Sequence, residues 1–328
     1  MLREVNMKKV TLKDIAACAG VSTALVSNYL NHHPSARMSD QTREKIDRAL
    51  KELDYHGSDI ARSLRTGRSR IIGYFTGNLR NEVTQNEMLE VYDAAAEENY
   101  RVIVEFATDL NHPLEKIRAF QARGYDALIV SGCFDQDVTE QIAELPVPTV
   151  ILNTNSSASL PGKMLRYDYR IAVREAIDYL KKQGHTGIYY QTRYFEPKDQ
   201  RYLEFAEAVS EKNIWCLPYR NVPVEEWNVF IQEHPDCTAM LHLNDFLAMK
   251  TIQNCMTSGM RVPEDFSVVG FDNIHAAEYT TPELSTISRP LSEAAKLAVQ
   301  AVLAELEKKP YELPEVLPCQ FIRRNSVK

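Results

Sequence analysis

The sequence predicts an α/β protein with a small all-helical head at residues 1–57, a linker at 58–69 and a large body at 70–328. Two patterns support this prediction. Apolar stripes at helical spacing fill the head, whereas short β-rich runs alternate with longer helical patterns through the body. The body holds about 260 residues, which is long enough for two domains.

The first helix of the head is predicted from an apolar stripe at helical period, formed by Leu12, Ile15, Ala16 and Ala19. Thr11 and Asp14 have the spacing of a capping box, in which a hydroxyl and a carboxylate satisfy free amide donors of the first turn. Gly20 then ends the helix.

A second helix is predicted to begin directly afterwards, capped by Ser22, with a buried edge formed by Val26, Tyr29 and Leu30. Only Gly20 and Val21 separate the two helices, so they must cross steeply. This is helix-turn-helix geometry, in which the second helix projects its first residues, here Thr23 and Ala24, into the major groove of DNA.

A third helix is predicted from about Ser39, and Tyr55 is expected to close the small core. Its apolar positions repeat at helical spacing: Ile46, Ala49, Leu50 and Leu53. The alternative interpretation is a helical cap on an enzyme. The charge distribution argues against that alternative, because residues 1–70 carry 13 Lys and Arg against 8 Asp and Glu, whereas the remainder carries 25 against 37. Such asymmetry indicates a polyanionic partner at one end.

In the body, apolar β-rich runs alternate with helical patterns, which predicts parallel sheets covered by helices on both faces. The predicted strands are 71–75, 102–104, 127–130, 149–152, 187–190, 239–243 and 268–271. The predicted helices are 85–98, 114–123, 137–144, 168–183, 198–212, 245–258 and 290–308.

Several function classes lack their signals in this sequence. No phosphate-binding glycine loop and no Gly-x-Ser-x-Gly nucleophile elbow occur, which disfavours an enzyme. The six cysteines form no Cys-x-x-Cys pair and no Cys/His cluster at zinc spacing, so neither a metal nor another cofactor is expected. With no signal-peptide pattern and no apolar run of membrane-spanning length, we expect a cytoplasmic chain without membrane contact.

The head resembles the lactose repressor/galactose repressor (LacI/GalR) family of bacterial transcription regulators. The matching segments are VTLKDIA at 10–16, AGVS at 19–22, VS at 26–27, LN at 30–31, TREKI at 42–46, Tyr55 and ARSL at 61–64. The resemblance implies DNA contacts by Thr11, Ser22, Thr23, Ala24, Ser27, Asn28, Asn31, Thr42, Tyr55, Ala61, Arg62 and Leu64. It also implies that 61–64 folds as a hinge helix on DNA, where Leu64 acts as a minor-groove wedge. An ordinary linker leucine is the alternative.

Two departures from the family pattern occur in the head. Leu25 to Asn28 stand where Thr-Val-Ser-Arg is usual, although Asn28 retains an amide that can hydrogen-bond adenine. Gly57 and Ser58 replace Pro-Asn at the start of the hinge, which makes that start more flexible.

The resemblance extends over the body through GYDALI at 124–129, GH at 184–185, ND at 244–245, VPEDFSVVGFDN at 262–273 and PELSTI at 282–287. It implies two lobes of the periplasmic-binding-protein type with a ligand cleft between them. The N-lobe is expected at about 70–167 and 289–318, and the C-lobe at about 168–288 and 319–328.

Candidate effector residues lie at the carboxyl ends of predicted strands, where ligands bind in open α/β sheets. They are Asn153, Asn244 and Asp272, to which the resemblance adds Arg201, and the aromatic residues Tyr74, Phe75 and Trp227 are candidate stacking platforms. Each has an alternative. Arg201 could pair with Glu204 or Glu207 on a helix surface, Asp272 could serve a turn, and the aromatic rings could lie in the core. Asp168 matches a family aspartate and could instead cap a helix.

Guanidinium donors opposite carboxylate acceptors suit the hydroxyls of a sugar or related metabolite, although Asn153 stands where sugar binders often have aspartate. The sequence therefore predicts a homodimeric repressor that binds a pseudo-palindromic DNA operator under control of a small-molecule effector. The alternative is a solute-binding protein of a transport system, which shares the body but needs export and no DNA-reading head.

Overall fold

A computed structural model describes residues 10–30, 38–55, 67–77, 79, 81–107, 112–132, 134–153, 159–193, 199–218 and 221–328. The chain divides into two compact units, Met1–Arg68 and Ser69–Lys328. Within the described ranges, no helix is both long and apolar enough to cross a lipid bilayer.

Three helices form the described part of the first unit: α1 (Leu12–Ala19), α2 (Thr23–Leu30) and α3 (Asp40–Glu52). The Asp14 carboxylate accepts hydrogen bonds from the Thr11 backbone N–H at 2.8 Å and from its hydroxyl at 2.7 Å. Gly20 ends α1 with a φ of 66°, in the left-handed region that glycine adopts without strain. The predicted three-helix head is confirmed.

One small apolar core holds these helices together. Its buried members come from all three helices: Ile15, Ala16, Ala19, Val26, Ile46 and Ala49. Tyr55 packs against this core, as the sequence predicts. The Tyr29 hydroxyl donates a 2.7 Å hydrogen bond to the Asp47 carboxylate and so ties α2 to α3.

The second unit contains two six-stranded sheets. The first has the order β11-β5-β4-β3-β1-β2, with β1 (Ile71–Thr76), β2 (Arg101–Phe106), β3 (Ala127–Ser131), β4 (Thr149–Leu152), β5 (Met164–Asp168) and β11 (Val316–Pro318). All its pairings are parallel. The second has the order β12-β10-β9-β8-β6-β7, with β6 (Gly187–Thr192), β7 (Ile214–Cys216), β8 (Cys237–His242), β9 (Ser267–Phe271), β10 (Ser285–Ser288) and β12 (Gln320–Ile322). Here the β10–β12 pair is antiparallel.

Helices cover the sheets of this unit. They are α4 (Glu82–Glu97), α5 (Pro113–Gln121), α6 (Gln136–Ala143), α7 (Arg170–Lys182), α8 (Gln200–Ala208), α9 (Val224–Glu233), α10 (Asp245–Thr257) and α11 (Leu291–Leu306). The chain passes between the two sheets three times. It leaves the first sheet after β5 and continues into α7, returns after β10 into α11, and leaves again after β11 to form β12. Each sheet with its helices forms one lobe, and the α/β prediction is confirmed.

The predicted strands are all present, and five shorter ones were missed: β5, β7, β10, β11 and β12. These have three to five residues, and β5, β10 and β12 mix polar with apolar side chains, so none has the longer continuous apolar run that marks a buried strand. The helix predicted at 198–212 ends at Ala208 and is followed by a separate 3₁₀ turn at Glu211–Asn213.

The aromatic residues proposed as stacking platforms lie in the core of the lobes. Tyr74 and Phe75 are both fully buried and point to opposite faces of the β1 strand, because successive side chains of a strand alternate. Phe75 packs 6.1 Å from the Phe120 ring, and Trp227 packs edge-on, 5.2 Å from Phe266. Helices cover both sheet faces, so these rings present no face to a ligand. Their burial favours the core alternative, and the stacking role stays a prediction.

Candidate DNA-binding head and interlobe site

The residues predicted to read bases lie at the start of α2. Thr23 and Ala24 are exposed in its first turn, and Ser27 and Asn28 follow one turn later on the same face, because residues four apart are neighbours on a helix. The Ser22 hydroxyl accepts a 3.2 Å hydrogen bond from the Leu25 N–H and so caps the helix. These side chains form one polar strip at the amino end of the helix.

Other predicted DNA contacts are distributed over the head. Thr11 is the exposed residue before α1, and Thr42 lies in the first turn of α3, where its hydroxyl is 2.9 Å from that of Ser39. Tyr55 follows α3. Asn31, Ala61, Arg62 and Leu64, together with the predicted hinge helix, lie outside the described residues.

Arg289 links the two lobes of the body. It lies between β10 of one lobe and α11 of the other, and its side chain is 8% exposed. Its Nη2 donates to Asp272 Oδ1 at 2.7 Å, and its Nη1 donates to Asn153 Oδ1 at 3.1 Å. Because Asn153 follows β4 and Asp272 follows β9, this one guanidinium joins the strand ends of both sheets.

The backbone at these strand ends adopts unusual conformations. Asp272 has a φ of 114°, and Asn153 and Asn273 have φ values of 54° and 53°. Positive φ values are rare for residues with a side chain and cluster at functional sites, where the surrounding structure holds them in place. Burial raises the pKa of Asp272, and the neighbouring Arg289 and Arg201 oppose that shift.

Arg201 forms a second buried ion pair close to the first. Its Nε and Nη2 donate to the two oxygens of Asp199 at 2.9 and 2.6 Å, and its Nη1 donates to the Leu243 carbonyl at 3.1 Å. The predicted alternative, a surface pair with Glu204 or Glu207, is not what the structure shows, since Arg174 pairs with those two glutamates.

Two aromatic rings lie between the arginines. The Tyr169 and Phe271 rings meet edge to face at 5.0 Å. The Arg201 guanidinium carbon lies 5.2 Å from the Phe271 centroid, and that of Arg289 lies 5.8 Å from the Tyr169 centroid. Cations over aromatic faces at these distances are attracted to the ring electrons, so the rings fix both guanidinium groups.

Glu87 on α4 forms a buried polar cluster on the N-lobe side of Arg289. The hydroxyls of Tyr74 and Tyr167 both donate to its carboxylate, at 2.9 and 3.2 Å. Arg289 lies 5.8 Å from the Tyr167 centroid. Burial raises the pKa of Glu87, while the tyrosine hydrogen bonds and the charge of Arg289 act in the opposite direction.

Asn244 and Asp245 connect β8 to α10. The Asn244 side-chain oxygen accepts from the Leu247 N–H at 3.0 Å and caps the helix. Asp245 is fully buried and accepts hydrogen bonds from the Ile274 N–H at 2.8 Å and from the Thr286 hydroxyl at 2.5 Å. Asp245 therefore joins α10 to the loop after Asp272 and to β10.

The structure thus brings three of the predicted effector residues into one region: Asn153 and Asp272 through Arg289, and Arg201 through the shared aromatic rings. Asp168 forms a two-bond pair with Arg170 and accepts from its backbone N–H, which is the capping alternative. Arg289, Tyr169, Tyr167 and Glu87 were missed. Arg289 stands in a short Ser-Arg-Pro segment without periodicity, so only the fold reveals its position.

Comparison with known proteins assigns the family. Residues 11–58 match the family described as "Bacterial regulatory proteins, lacI family", and residues 177–327 match "Periplasmic binding protein-like domain". The "HTH-type transcriptional repressor PurR" of Vibrio vulnificus is 30% identical over 345 residues, covering 97% of this chain and 98% of the relative. The "HTH-type transcriptional regulator KdgR" of Bacillus subtilis is 26% identical, covering 90% and 91%.

Solved structures show the same fold. A lac repressor dimer bound to operator and the anti-inducer ONPF has a TM-score of 0.81 at 22% identity, covering 97% of this chain and 99% of the other. The complex of the transcriptional regulator CelR with cellobiose has a TM-score of 0.67 at 20% identity, covering 97% and 100%. The helix-turn-helix head, the two-lobed body and the full-length similarity to PurR agree, and the chain belongs to the lacI family of bacterial DNA-binding transcriptional regulators.

Proposed function

We propose that this regulator is a repressor that binds a pseudo-palindromic operator as a homodimer, and that a small molecule bound between the lobes changes its operator affinity. The observation that carries the effector part is the buried group of Arg289, Asp272 and Arg201 at the strand ends of the two lobes. Convergent polar side chains in a cleft between domains are typical of ligand sites.

The DNA part of the proposal rests on the strip at the start of α2. Thr23, Ala24 and Asn28 read base edges in the major groove, where an asparagine amide can form two hydrogen bonds with adenine. Phosphate contacts are assigned to the remaining polar residues of the head: Thr11, Ser22, Ser27, Asn31, Thr42 and Tyr55. Such contacts fix the orientation of the head on the duplex but carry no sequence information themselves.

For the linker we propose that residues 61–64 fold on DNA, with Ala61 and Arg62 against the minor groove and Leu64 between base pairs. Unstacking one base step costs a few kcal/mol, which the additional contacts of the bent duplex offset. This part of the proposal rests on the sequence.

Asn153, Arg201, Asn244 and Asp272 are proposed to bind the effector, a sugar or related metabolite, together with Arg289. The relatives support a small molecule of this kind, since CelR was solved with cellobiose and the lac repressor with ONPG. Hydroxyl groups can accept hydrogen bonds from the guanidinium groups and donate them to Asp272. A polyol can therefore bind both the arginines and the carboxylate of this buried group.

Homodimer formation is supported by apolar side chains that are exposed on both lobes. They include Leu89 and Tyr92 on α4, Phe106 on β2, Phe246 on α10 and Tyr279. Apolar side chains that form a contiguous patch mark interaction surfaces, and the lac repressor, which has the same fold, was solved as a dimer. Because the effector contacts both lobes, it binds one lobe arrangement better than another, and the dimer transmits that difference to the spacing of the heads.

The direct experiment is selection of genomic fragments by the purified full-length chain, followed by gel-shift titration at several salt concentrations. We expect enrichment of fragments that share an inverted repeat, with affinity that falls steeply as salt rises. The Asn28→Ala variant should lose preference at one position of each half-site, while Asp54→Ala, a change outside the polar strip, should not. Retention without any shared repeat contradicts the proposal.

A further inference from the structure

We infer that the effector of this regulator carries a carboxylate, and that Arg289 with the first turn of α11 forms the subsite that binds it. The inference rests on the proposed effector site and specifies its ligand as a small organic acid. Three observations support it: the incomplete hydrogen bonding of the Arg289 guanidinium, a cavity that Arg289 lines, and the start of α11, which lines the same cavity.

The first observation is the hydrogen bonding of Arg289. An arginine presents Nε and Nη2 as a planar edge that matches the two oxygens of a carboxylate. Arg201 with Asp199, Arg170 with Asp168, and Arg261 with Asp265 all use this edge completely, through two bonds of 2.6 to 2.9 Å.

Arg289 differs from these three arginines. Its Nη2 donates to one oxygen of Asp272, but its Nε is buried and has no hydrogen-bond partner among the described residues. The side chain is 92% buried, being 8% exposed. A buried N–H of a cationic group without an acceptor is costly, so the Nε of Arg289 is available to an oxygen acceptor that the described residues do not provide.

The second observation is a cavity of about 510 Å³ that Arg289 and Asp272 line together. Its other walls include Asn86 of α4, Ser288 and the first residues of α11. This volume is in the range of sites that hold small metabolites. The Arg289 side chain therefore borders space that a ligand can occupy, and its buried Nε meets a ligand there when the pair with Asp272 rearranges.

The third observation is the amino end of α11. This helix has 16 residues, and its N-cap is Pro290, which makes no side-chain hydrogen bond to the first turn. Ser292 and Glu293 of that turn line the cavity. The free N–H groups of a helix start carry partial positive charge and bind anions, so the helix adds to the attraction of Arg289.

The acidic residues around the cavity limit the charge of the ligand. Asp272 competes for Arg289, and Glu90 and Glu293 also line the cavity. A ligand with one negative charge meets less repulsion there than a doubly charged phosphate ester. Its planar carboxylate can complete the Nε and Nη2 edge, while its hydroxyl groups donate to Asp272, which keeps that buried carboxylate partnered.

The test compares sugars that share one skeleton but differ in charge. The probes are D-glucose, D-gluconate, D-glucuronate and D-glucose 6-phosphate with the corresponding D-galactose set, extended by small hydroxy acids. Thermal unfolding of the full-length protein identifies binders, and calorimetric titration gives their affinities. We expect at least one carboxylate to stabilise the protein while its neutral counterpart at equal concentration does not.

Variants then locate the subsite. Arg289→Gln should weaken the bound acid by roughly tenfold or more, since a hydrogen bond to a charged group is lost. Arg289→Lys, which keeps the charge but not the planar edge, should have an intermediate effect. Arg261→Gln is the matched control, because it removes a complete Arg–Asp pair remote from the cavity lining. Circular dichroism confirms that each variant folds.

Stabilisation by neutral sugars alone overturns the carboxylate subsite but leaves the proposed effector site intact. Three other outcomes also overturn the carboxylate subsite. Phosphate esters alone stabilise the protein, no acid stabilises it, or the acid that binds has the same affinity for Arg289→Gln as for the wild type. The proposed function fails separately, when no genomic fragment is retained by the protein.

Discussion

Arg289 and Asp272 lie 17 residues apart in the chain, and their 2.7 Å contact joins the segment that enters the N-lobe to a strand end of the C-lobe. Both side chains are more than nine-tenths buried. We expect a ligand that rearranges this pair to change how the lobes are held together, which is the proposed basis for coupling the body to DNA binding.

The first prediction concerns the partner of Arg289. Asp272→Ala leaves a buried guanidinium without its carboxylate, so the free energy of unfolding of the body should fall by about 3 kcal/mol. Denaturant unfolding measures this change. The variant should also lose stabilisation by the effector while the ligand-free protein still shifts operator DNA. An unchanged effector response moves the site away from Asp272.

The second prediction concerns pH and Asp245. Burial raises the pKa of Asp245 to about 7, from an ordinary value near 3.8. The folded protein therefore holds this proton more tightly than the unfolded chain, so the contribution of Asp245 to stability is complete below about pH 4 and is lost as pH rises towards 7.

His242 contributes with the opposite sign. Burial lowers its pKa to about 4, so its contribution to stability is lost as pH falls below its ordinary value of about 6.5. The comparison of wild type with Asp245→Asn separates the two groups. Between pH 4.5 and 7, the free energy of unfolding, measured with denaturant, should change with a more negative slope against pH in the wild type than in Asp245→Asn. Equal slopes contradict the raised pKa of Asp245.

The third prediction concerns the link between Arg289 and α4. Glu87→Gln keeps the size of the side chain but removes the carboxylate that accepts from Tyr74 and Tyr167. Because an amide offers one acceptor oxygen and two donors, one tyrosine hydroxyl loses its bond, and stability should fall by about 1–3 kcal/mol. Glu97→Gln, at the exposed end of the same helix, is the control and should change stability little.

The fourth prediction concerns the linker residue Leu64. Leu64→Ala should weaken operator binding strongly in gel shifts, by a few kcal/mol, because the methyl group of alanine is too small to hold a base step apart. Effector affinity should be nearly unchanged, which separates a local DNA effect from misfolding. Equal operator affinity in wild type and variant refutes the wedge.

The fold was largely predictable because its long elements have strong periodicity. The apolar stripe of α1 and the continuous run of β3 each give a clear local signal. By contrast, β10 and β12 are short and partly polar, and they are strands because β9 offers hydrogen bonds to β10 and β10 offers them to β12. Such tertiary pairing has no counterpart in the local sequence.

The site was only half predictable for a related reason. Asp272 and Asn153 follow buried strands, so their position at a sheet edge could be deduced. Arg289 gives no such signal, and Glu87 interrupts an otherwise ordinary helix surface, yet both are buried because the fold packs α4 and the β10–α11 connection together. Tyr74 and Phe75 show a related difficulty, since a strand-end aromatic residue that contacts a ligand is indistinguishable in sequence from one that lies in the core, where the structure buries both.

The central claim is that occupancy of the interlobe site changes operator affinity. The most direct measurement is a fluorescence titration of operator DNA with the full-length protein, with and without a saturating concentration of the small molecule that binds most tightly. The reverse experiment titrates that small molecule with and without operator. The account predicts that operator affinity changes and that the affinity for the small molecule changes by the same factor, because the coupling is reciprocal. Operator affinity that is identical with and without the bound small molecule contradicts it.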